Sequence, residues 1–392
     1  MNSPVAGTRI LMLAPEPVLR PRGTPLSVAA RLRALSALGC RVDLVTYPFG
    51  ERVCLPGVAV HRCGGWPVRR EPLIGPSPEK IVLDAHLARE AWRRLRCGSY
   101  DVIHTHEEAA FLGAMLARRW GLPHLYDMHS SLPEQMVTYG WFRRRGLAVR
   151  LARRAERWLL RRCDTVIAVY PAQARAVRAV APDLPVVLIE NPPLTYTVGL
   201  PAGPPPRPVP GLILYTGNMA ANQGLDVLLS AMRPVADRVP SARLMVIGGR
   251  SKTVARARRL ARRLGVIDRV EFRGIRSPAE ALAAHRAAAV LVSPRTDGPN
   301  VPSKIYTYLS ASRPIVATDV PAHRQVIDEI CAVLVPPTAE GLADGLVRVL
   351  TDAALAGRLA EATGPRLACH FSADVYRDRV GQAVAMALAA DR

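Results

Sequence analysis

The sequence predicts an α/β protein made of two doubly wound domains facing a cleft. Three observations carry this. Strand-length apolar runs alternate with helix-length segments between Arg9 and Val169, the same alternation restarts at Leu212, and a proline-rich stretch separates the two series. A chain of 392 residues is also too long for one ordinary core. The expected division is 1–195 for a first domain, 196–210 for a linker, 211–373 for a second domain and 374–392 for a terminal helical segment.

The elements follow in order. Arg9-Ile10-Leu11-Met12-Leu13 is a buried parallel strand ending in a Pro-rich loop. The loop Arg20 to Pro25 opens a helix over Leu26–Leu38, Gly39 stops it, and Arg41–Thr46 is the next strand. Tyr100–His104 is a strand, Phe111–Trp120 a helix, and His124–His129 and Thr165–Val169 are further strands. Residues 192–210 hold eight prolines, which suits a stiff linker and excludes helix or central strand. Beyond it the strands are Leu212–Tyr215, Leu244–Ile247, Val270–Phe272, Ala289–Val292, Ile315–Ala317 and Ala332–Val335, with a last helix over Asp374–Ala390.

Composition narrows the function. A formal charge of +21 fits an anionic substrate, an anionic membrane surface or nucleic acid. No recognition helix, zinc finger or aromatic-basic sheet signature is present, so no nucleic-acid role is expected. The seven cysteines are scattered, with no C-x-x-C pair, and read as reduced thiols of a cytosolic protein. There is no signal-peptide layout at the start and no run of about 18 apolar residues, so a cytoplasmic protein, peripheral at the inner membrane face, is expected. Residues 141–162 carry nine arginines and one glutamate, with Trp141, Phe142 and Trp158. Two readings stay open there: an interfacial helix for anionic lipid, or a domain helix packing Leu147, Leu151 and Leu159 inward under solvated arginines.

The chemistry concentrates at strand ends. In PRTDGPNVPSKIYTYLSASRPIVAT, residues 294–318, an irregular loop flanked by Arg295 and Lys304 runs into a short helix and then a strand. Unpaired N–H groups there suit an anion such as a diphosphate. Only three lysines accompany the many arginines, and Lys304 is one of them, marking a place for a compact point charge. Asn300 and Ser303 lie in the same loop, and Thr307 follows in the helix. Gly23-Thr24 and the turn Gly217-Asn218 to Gln223 are two more anion-competent strand-to-helix loops. Asp101–Glu108, DVIHTHEE, gathers two histidines and two carboxylates at a strand end, and alternation puts His104 and His106 on one side. Those residue types would suit zinc, but no third ligand is evident. His129 ends the next strand beside Asp127. There is no G-x-G-x-x-G, and no D-x-D to bridge a metal to a diphosphate, so neither cofactor nor metal is expected.

Residues 302–318 resemble the pattern P-x-K-I-Y-x-Y-L-x-S-G-x-P-I-V-A-T of GT-B-fold retaining glycosyltransferases in the group 1, or family 4, class. Pro302, Lys304, Ile305, Tyr306, Tyr308, Leu309 and Pro314 through Thr318 match it. RGTPLSVAARLRALSALG resembles that family's glycine loop and first helix, and DVIHTHEE its D-x-x-H-x-H-E, whose second histidine carries over to His106. YDMHSSLPEQ also looks family-like. The chain departs in two places. Asn218 and Gln223 stand where the family has Arg and Lys, and its paired glutamates are missing, with Pro299 and Thr307 nearest.

The resemblance implies two Rossmann-like domains, a last helix crossing back to the first, and transfer of a sugar from a nucleotide diphosphate sugar with retention. It implies His106 near the reacting sugar; with the family's loop cations missing, Arg295 and Lys304 are the candidates for the phosphate charge, and these three are the expected catalytic residues. Donor-binding residues would be Gly23, Thr24, Gly217, Asn218, Gln223, Asn300, Ser303 and Thr307, with Glu107 and His129 on the acceptor side. The acceptor expected is a lipid-linked sugar or polysaccharide precursor. A nucleotide-sugar epimerase or hydrolase of the same fold, and a noncatalytic nucleotide-sugar-binding partner subunit, are the alternatives.

Overall fold

A computed structural model of the chain describes residues 3–18, 23–71, 77–134, 146–199, 206–298 and 300–390. The chain forms two compact units, one of Met1–Asn191 with Ala373–Arg392, the other of Pro192–Ser372.

In the first unit the order is β1 (Arg9–Ala14), α1 (Gly23–Ala37), β2 (Arg41–Thr46), β3 (Val58–Arg62), α2 (Pro78–Cys97), β4 (Val102–His106), α3 (Ala109–Trp120), β5 (His124–Met128), α4 (Leu147–Leu160), β6 (Thr165–Ala168), α5 (Pro171–Val180) and β7 (Val186–Leu188). The seven strands form a parallel sheet in the order β3-β2-β1-β4-β5-β6-β7. The central strands are buried on both faces because helices cover both, as parallel sheets require, and β4 and β5 carry polar side chains into that interior. α2 shows how local signals start and place a helix. Ser77 caps it by accepting from the Lys80 N–H, Pro78 opens it, and Leu83, Leu87, Ala91 and Leu95 form its buried stripe.

The second unit begins with α6 (Leu194–Val198), followed by β8 (Leu212–Thr216), α7 (Leu225–Arg238), β9 (Arg243–Ile247), α8 (Ser251–Arg263), β10 (Val270–Gly274), α9 (Pro278–Ala287), β11 (Val290–Ser293), α10 (Lys304–Leu309), β12 (Ile315–Thr318), α11 (Pro321–Arg324), β13 (Ala332–Val335), α12 (Ala339–Thr351) and α13 (Ala353–His370). Its six parallel strands run β10-β9-β8-β11-β12-β13. The last helix, α14 (Ala373–Leu388), belongs to the first unit, where it packs on α1 and across β4 to β7. Each sheet reverses its strand order once, between β1 and β4 and between β8 and β11. Ligands of open α/β sheets bind outside the carboxyl ends at such points.

Three expectations need correction. The proline-rich stretch is not wholly extended: α6 forms in the gap after Pro193, where no proline interrupts and Pro193 itself serves as the N-cap residue. β4 runs two residues further than expected, because its ladder with β5 continues to the pair His106 and Asp127. On α4, Leu159 is buried but Leu147 and Leu151 are 63% and 57% exposed, so they do not pack inward. Trp141, Phe142 and the arginines at 143–145 lie outside the described residues, as do residues 19–22 of the first loop and Pro299. Among the described residues no helix is long and apolar enough to cross a membrane.

α3 meets the sheet through Gly113. A Cβ there would fall 2.3 Å from Thr105 Cγ2 and 2.7 Å from His124 Nε2, two side chains already hydrogen-bonded to each other. Gly113→Ala is therefore expected to destabilise the protein by about 1–3 kcal/mol. Gly357→Ala, at a helical position with open space around it, is expected to stabilise by about 0.5–1 kcal/mol. Denaturant melts of both variants check the pair; equal effects would show that α3 does not depend on this close approach.

Candidate functional site

In the first unit the site residues come from the ends of β4 and β5 and the start of α1. His104 and His106 alternate onto one side of β4, their rings stacked with centroids 4.8 Å apart. Asp127 on β5 faces them, and all three are 0% exposed. Arg31 reaches Asp127 from α1, its Nε donating to Oδ2 over 2.7 Å. Arg31 is itself 1% exposed, lies over the Tyr376 ring of α14 at 5.0 Å, and donates to the Ile189 carbonyl. Burial opposes ionisation of Asp127, but the Arg31 guanidinium, with His129 and His106, outweighs it and holds the carboxyl well below its usual range. Burial pushes His104 and His106 down, and His129 down to about 4, so all three imidazoles are neutral near pH 7. His106 Nδ1 and His129 Nε2 share a hydrogen bond of 3.1 Å.

His104, His106 and Asp127 each offer one ligand atom, all within 4.8 Å of one another, a spacing that could hold a metal ion. The third ligand missing from the sequence reading is thus Asp127. Its Oδ2 is taken by Arg31, however, and that fixed positive charge opposes a second cation.

Glu107 follows His106 and turns the chain at φ 49, a left-handed conformation rare for a glutamate. Its carboxyl accepts from Ser130 Oγ at 2.9 Å and from Thr24 Oγ1 at 3.2 Å. Thr24 and Glu107 are thereby brought together across the switch point. Among the described residues, which leave out 19–22, nothing lies within 4 Å of where a Gly23 Cβ would fall. Burial, then Glu108 and Glu16, push the Glu107 carboxyl up to about 8. Two carboxyls escaped the sequence reading: Glu156, pushed up to about 7 by burial and bonded to Ser131, and Glu134, also raised by burial. Arg31 escaped it too, because Ser27 through Leu32 are all buried on α1 and no apolar stripe singles the arginine out.

In the second unit Lys304 opens α10. Its Nζ lies out of water, has no hydrogen-bond partner among the described residues, and sits 4.1 Å from the Tyr215 ring centroid. Burial, with Arg295 nearby, pushes the amine down to about 7. Gly217, at φ 147, makes the approach possible, since a Cβ there would fall 2.9 Å from Nζ. Arg295 is 6% exposed and needs Gly298 in the same way, a Cβ there lying 2.4 Å from its Nη2. The matched tyrosines explain part of the motif: Tyr308 accepts from the Thr216 N–H and donates to the Val292 carbonyl, bracing β8 against β11.

The remaining sequence candidates divide. Asn218 shapes the turn after β8, its carbonyl accepting from Tyr215 and its Oδ1 from the Ala220 N–H, and Gln223 ends the short 3-10 turn Ala221–Gln223. Ser303 is exposed just before α10 and Asn300 half-buried in the loop. Thr307 is buried, and its hydroxyl oxygen accepts from the Leu194 N–H at 3.0 Å, committing it to the backbone of α6.

Glu107 gives a stability test that needs no substrate. The folded carboxyl keeps its proton to about 8, against an ordinary 4.5. The folded state therefore binds more protons than the unfolded between those values, so this group's contribution is full below 4.5 and is lost as pH rises to 8. Glu107→Gln cannot ionise. Its stability relative to the parent should rise as pH climbs from about 5 to 8, and thermal melts across that range check it. A constant difference would mean that Glu107 is ionised throughout.

Comparison with known proteins places this geometry. A model of Glycosyltransferase Family 4 matches residues 22–192, and one of Glycosyl transferases group 1 matches residues 210–352. D-inositol 3-phosphate glycosyltransferase of Streptomyces bingchenggensis is 27% identical over 263 residues, 61% of this chain and 56% of its own length. The match thus spans little more than half of that relative. Among solved structures, sucrose-phosphate synthase from Thermosynechococcus elongatus superposes with a TM-score of 0.78 at 22% identity, covering 98% of this chain and 100% of its own. The Anabaena protein HepE, in complex with UDP and glucose, gives 0.73 at 16% identity, covering 96% and 99%. The two Rossmann-like units are those of the GT-B fold, each is matched by its own family model, and the chain belongs to the group 1, family 4 glycosyltransferases.

Proposed function

We propose that the chain moves a sugar from a nucleoside diphosphate sugar to an acceptor hydroxyl, retaining the anomeric configuration and using no metal. The observation that carries this reading is the Lys304 ammonium, held out of water without a hydrogen-bond partner beside Gly217, with Arg295 near it. A buried cation with no counter-charge suits an incoming anion. It lies at the carboxyl ends of β8 and β11, where α/β sheets take ligands. In the reaction the bond from C1 to the diphosphate breaks, the acceptor oxygen bonds to C1, and the hydroxyl proton leaves with the diphosphate. Fixed positive charge at the departing oxygens lowers the barrier. Lys304 and Arg295 take that role in place of the family's loop cations, absent at Asn218 and Gln223. Gly217 and Asn218 line the diphosphate, Asn300 and Ser303 its sugar, and His106 hydrogen-bonds the donor sugar or the acceptor. The complex of HepE with UDP and glucose supports a nucleotide ligand. Members of family 4 are generally retaining, which supports that part of the reading.

Lys304→Ala should weaken nucleoside diphosphate binding by about 10- to 150-fold, the worth of a charge-assisted contact. With its amine near 7, the empty site is half neutral there and must take up a proton to bind an anion at higher pH. Affinity should therefore fall from about pH 7 to 9 in the parent and stay flat in the variant, as read by calorimetry. Transfer should persist in EDTA. Equal affinities in parent and variant would remove the assignment.

The acceptor we propose is a lipid-linked sugar at an anionic membrane, the cytoplasmic inner face. On α4, Leu147, Leu151 and Trp158 are exposed on the side away from buried Val149, Ala152 and Leu159. Arg150, Arg153, Arg154 and Arg157 are exposed around them. Apolar residues ringed by cations suit anionic lipid, each arginine contributing on the order of 1 kcal/mol at low salt. Sedimentation with anionic liposomes should show binding that falls with ionic strength. The triple change Arg150→Gln, Arg154→Gln, Arg157→Gln should weaken it several-fold, and liposome binding by the triple variant equal to the parent's would leave the arginines a solvated face.

A further inference from the structure

The hydrogen bond between His106 and His129 leaves one question of chemistry open to geometry: which ring nitrogen of His106 carries the proton. A hydrogen bond between two ring nitrogens holds one proton, carried here by either His106 Nδ1 or His129 Nε2. If His106 Nδ1 held it, the bare His129 Nε2 would turn its lone pair toward Asp127 Oδ1, 3.4 Å away. That oxygen has no hydrogen-bond partner among the described residues to draw off its charge. If His129 Nε2 holds it, the proton is attracted by Oδ1 and by His106 Nδ1 together. The bare His106 Nδ1 then faces Oδ2 from 3.7 Å, farther away, and Oδ2 already shares its charge with Arg31. The second arrangement has the weaker repulsion and the better-used oxygen.

We infer that His129, held by Asp127 and Arg31, is a positioning residue that fixes His106 as the tautomer protonated at Nε2, making His106 a hydrogen-bond donor and not a base. His106 Nε2 is buried and has no hydrogen-bond partner among the described residues, so its N–H is free for a ligand oxygen. The oxygen it would meet is a sugar hydroxyl or a phosphate oxygen; this part rests on the transfer reading above. A neutral donor adds no charge beside a sugar and cannot take the acceptor's proton, which leaves that proton to the departing diphosphate. Asp127 alone would not fix the tautomer, because its carboxylate lies within reach of all three imidazoles.

Nitrogen-15 spectra of the histidine side chains in the ligand-free full chain test the tautomer without any activity. His106 should show a protonated-type resonance at Nε2 and a bare-type resonance at Nδ1, and the reverse pattern would overturn the inference. His129→Leu should mix the two tautomers, whereas His129→Gln, whose amide N–H can replace the lost bond, should restore the Nε2–H form. An unchanged His106 spectrum in His129→Leu would also overturn it. In transfer assays His129→Leu should lower kcat by about tenfold with little change in KM, the worth of one misdirected hydrogen bond, and His129→Gln should recover most of it. If His129→Leu fails to fold, His129→Phe, which fills the ring's space without a ring nitrogen, supplies the same spectroscopic comparison with the same expected and overturning results. Wild-type transfer by His106→Ala would remove the role of the Nε2 proton in the reaction even with the tautomer as assigned.

Discussion

The first unit depends on one buried ion pair. Asp127 has no access to water, and a lone carboxylate there would cost several kcal/mol. Arg31 removes that penalty, and in doing so it draws on α1, β5, the carbonyl after β7 and the Tyr376 ring of α14 at once. A pair of this kind adds little net stability compared with a well-packed apolar substitute. What it supplies is a fixed anion at a defined place, against which three imidazoles take up their positions. The uncharged state of those imidazoles follows from the same burial, so charge is confined to the Arg31 and Asp127 pair.

The second unit treats charge the opposite way. Lys304 is removed from water but given an aromatic face rather than a counter-charge, and a neighbouring arginine raises the cost further. Two glycines, Gly217 and Gly298, are shaped to admit the two cations, at φ values that side chains avoid. Such an arrangement is poor for stability and good for recognition, because the free energy withheld in the empty state is available when an anion arrives. The two units thus differ in how they hold charge: a satisfied pair in one, an unsatisfied cation in the other.

Much of this was legible in the residues. Central strands such as Ile10 to Leu13 and Ile315 to Ala317 announced themselves as apolar runs, and the period of two put His104 and His106 on one side. Edge strands β3 and β7 did not, being short and half exposed. Helix α6 was hidden because a high density of prolines masks a proline-free gap. The scarcity of lysine singled out Lys304, but its desolvation depends on Tyr215 and Gly217, nearly ninety residues earlier, and no local pattern encodes that. Arg31 and Asp127 are likewise partners through topology alone. For α4 the period gave the helix but not the side that faces the core: the buried side runs through Val149, Ala152 and Leu159, leaving two leucines outside.

The sequence of the first unit is split, with α14 supplied only after the whole of the second unit. During synthesis from the amino end, the pair formed by Arg31 and Asp127 therefore waits for its Tyr376 cover until the second unit has emerged. The second unit is continuous in sequence and can close on itself as it leaves the ribosome. Until α14 is made, the histidine cluster and its ion pair lack the Tyr376 cover.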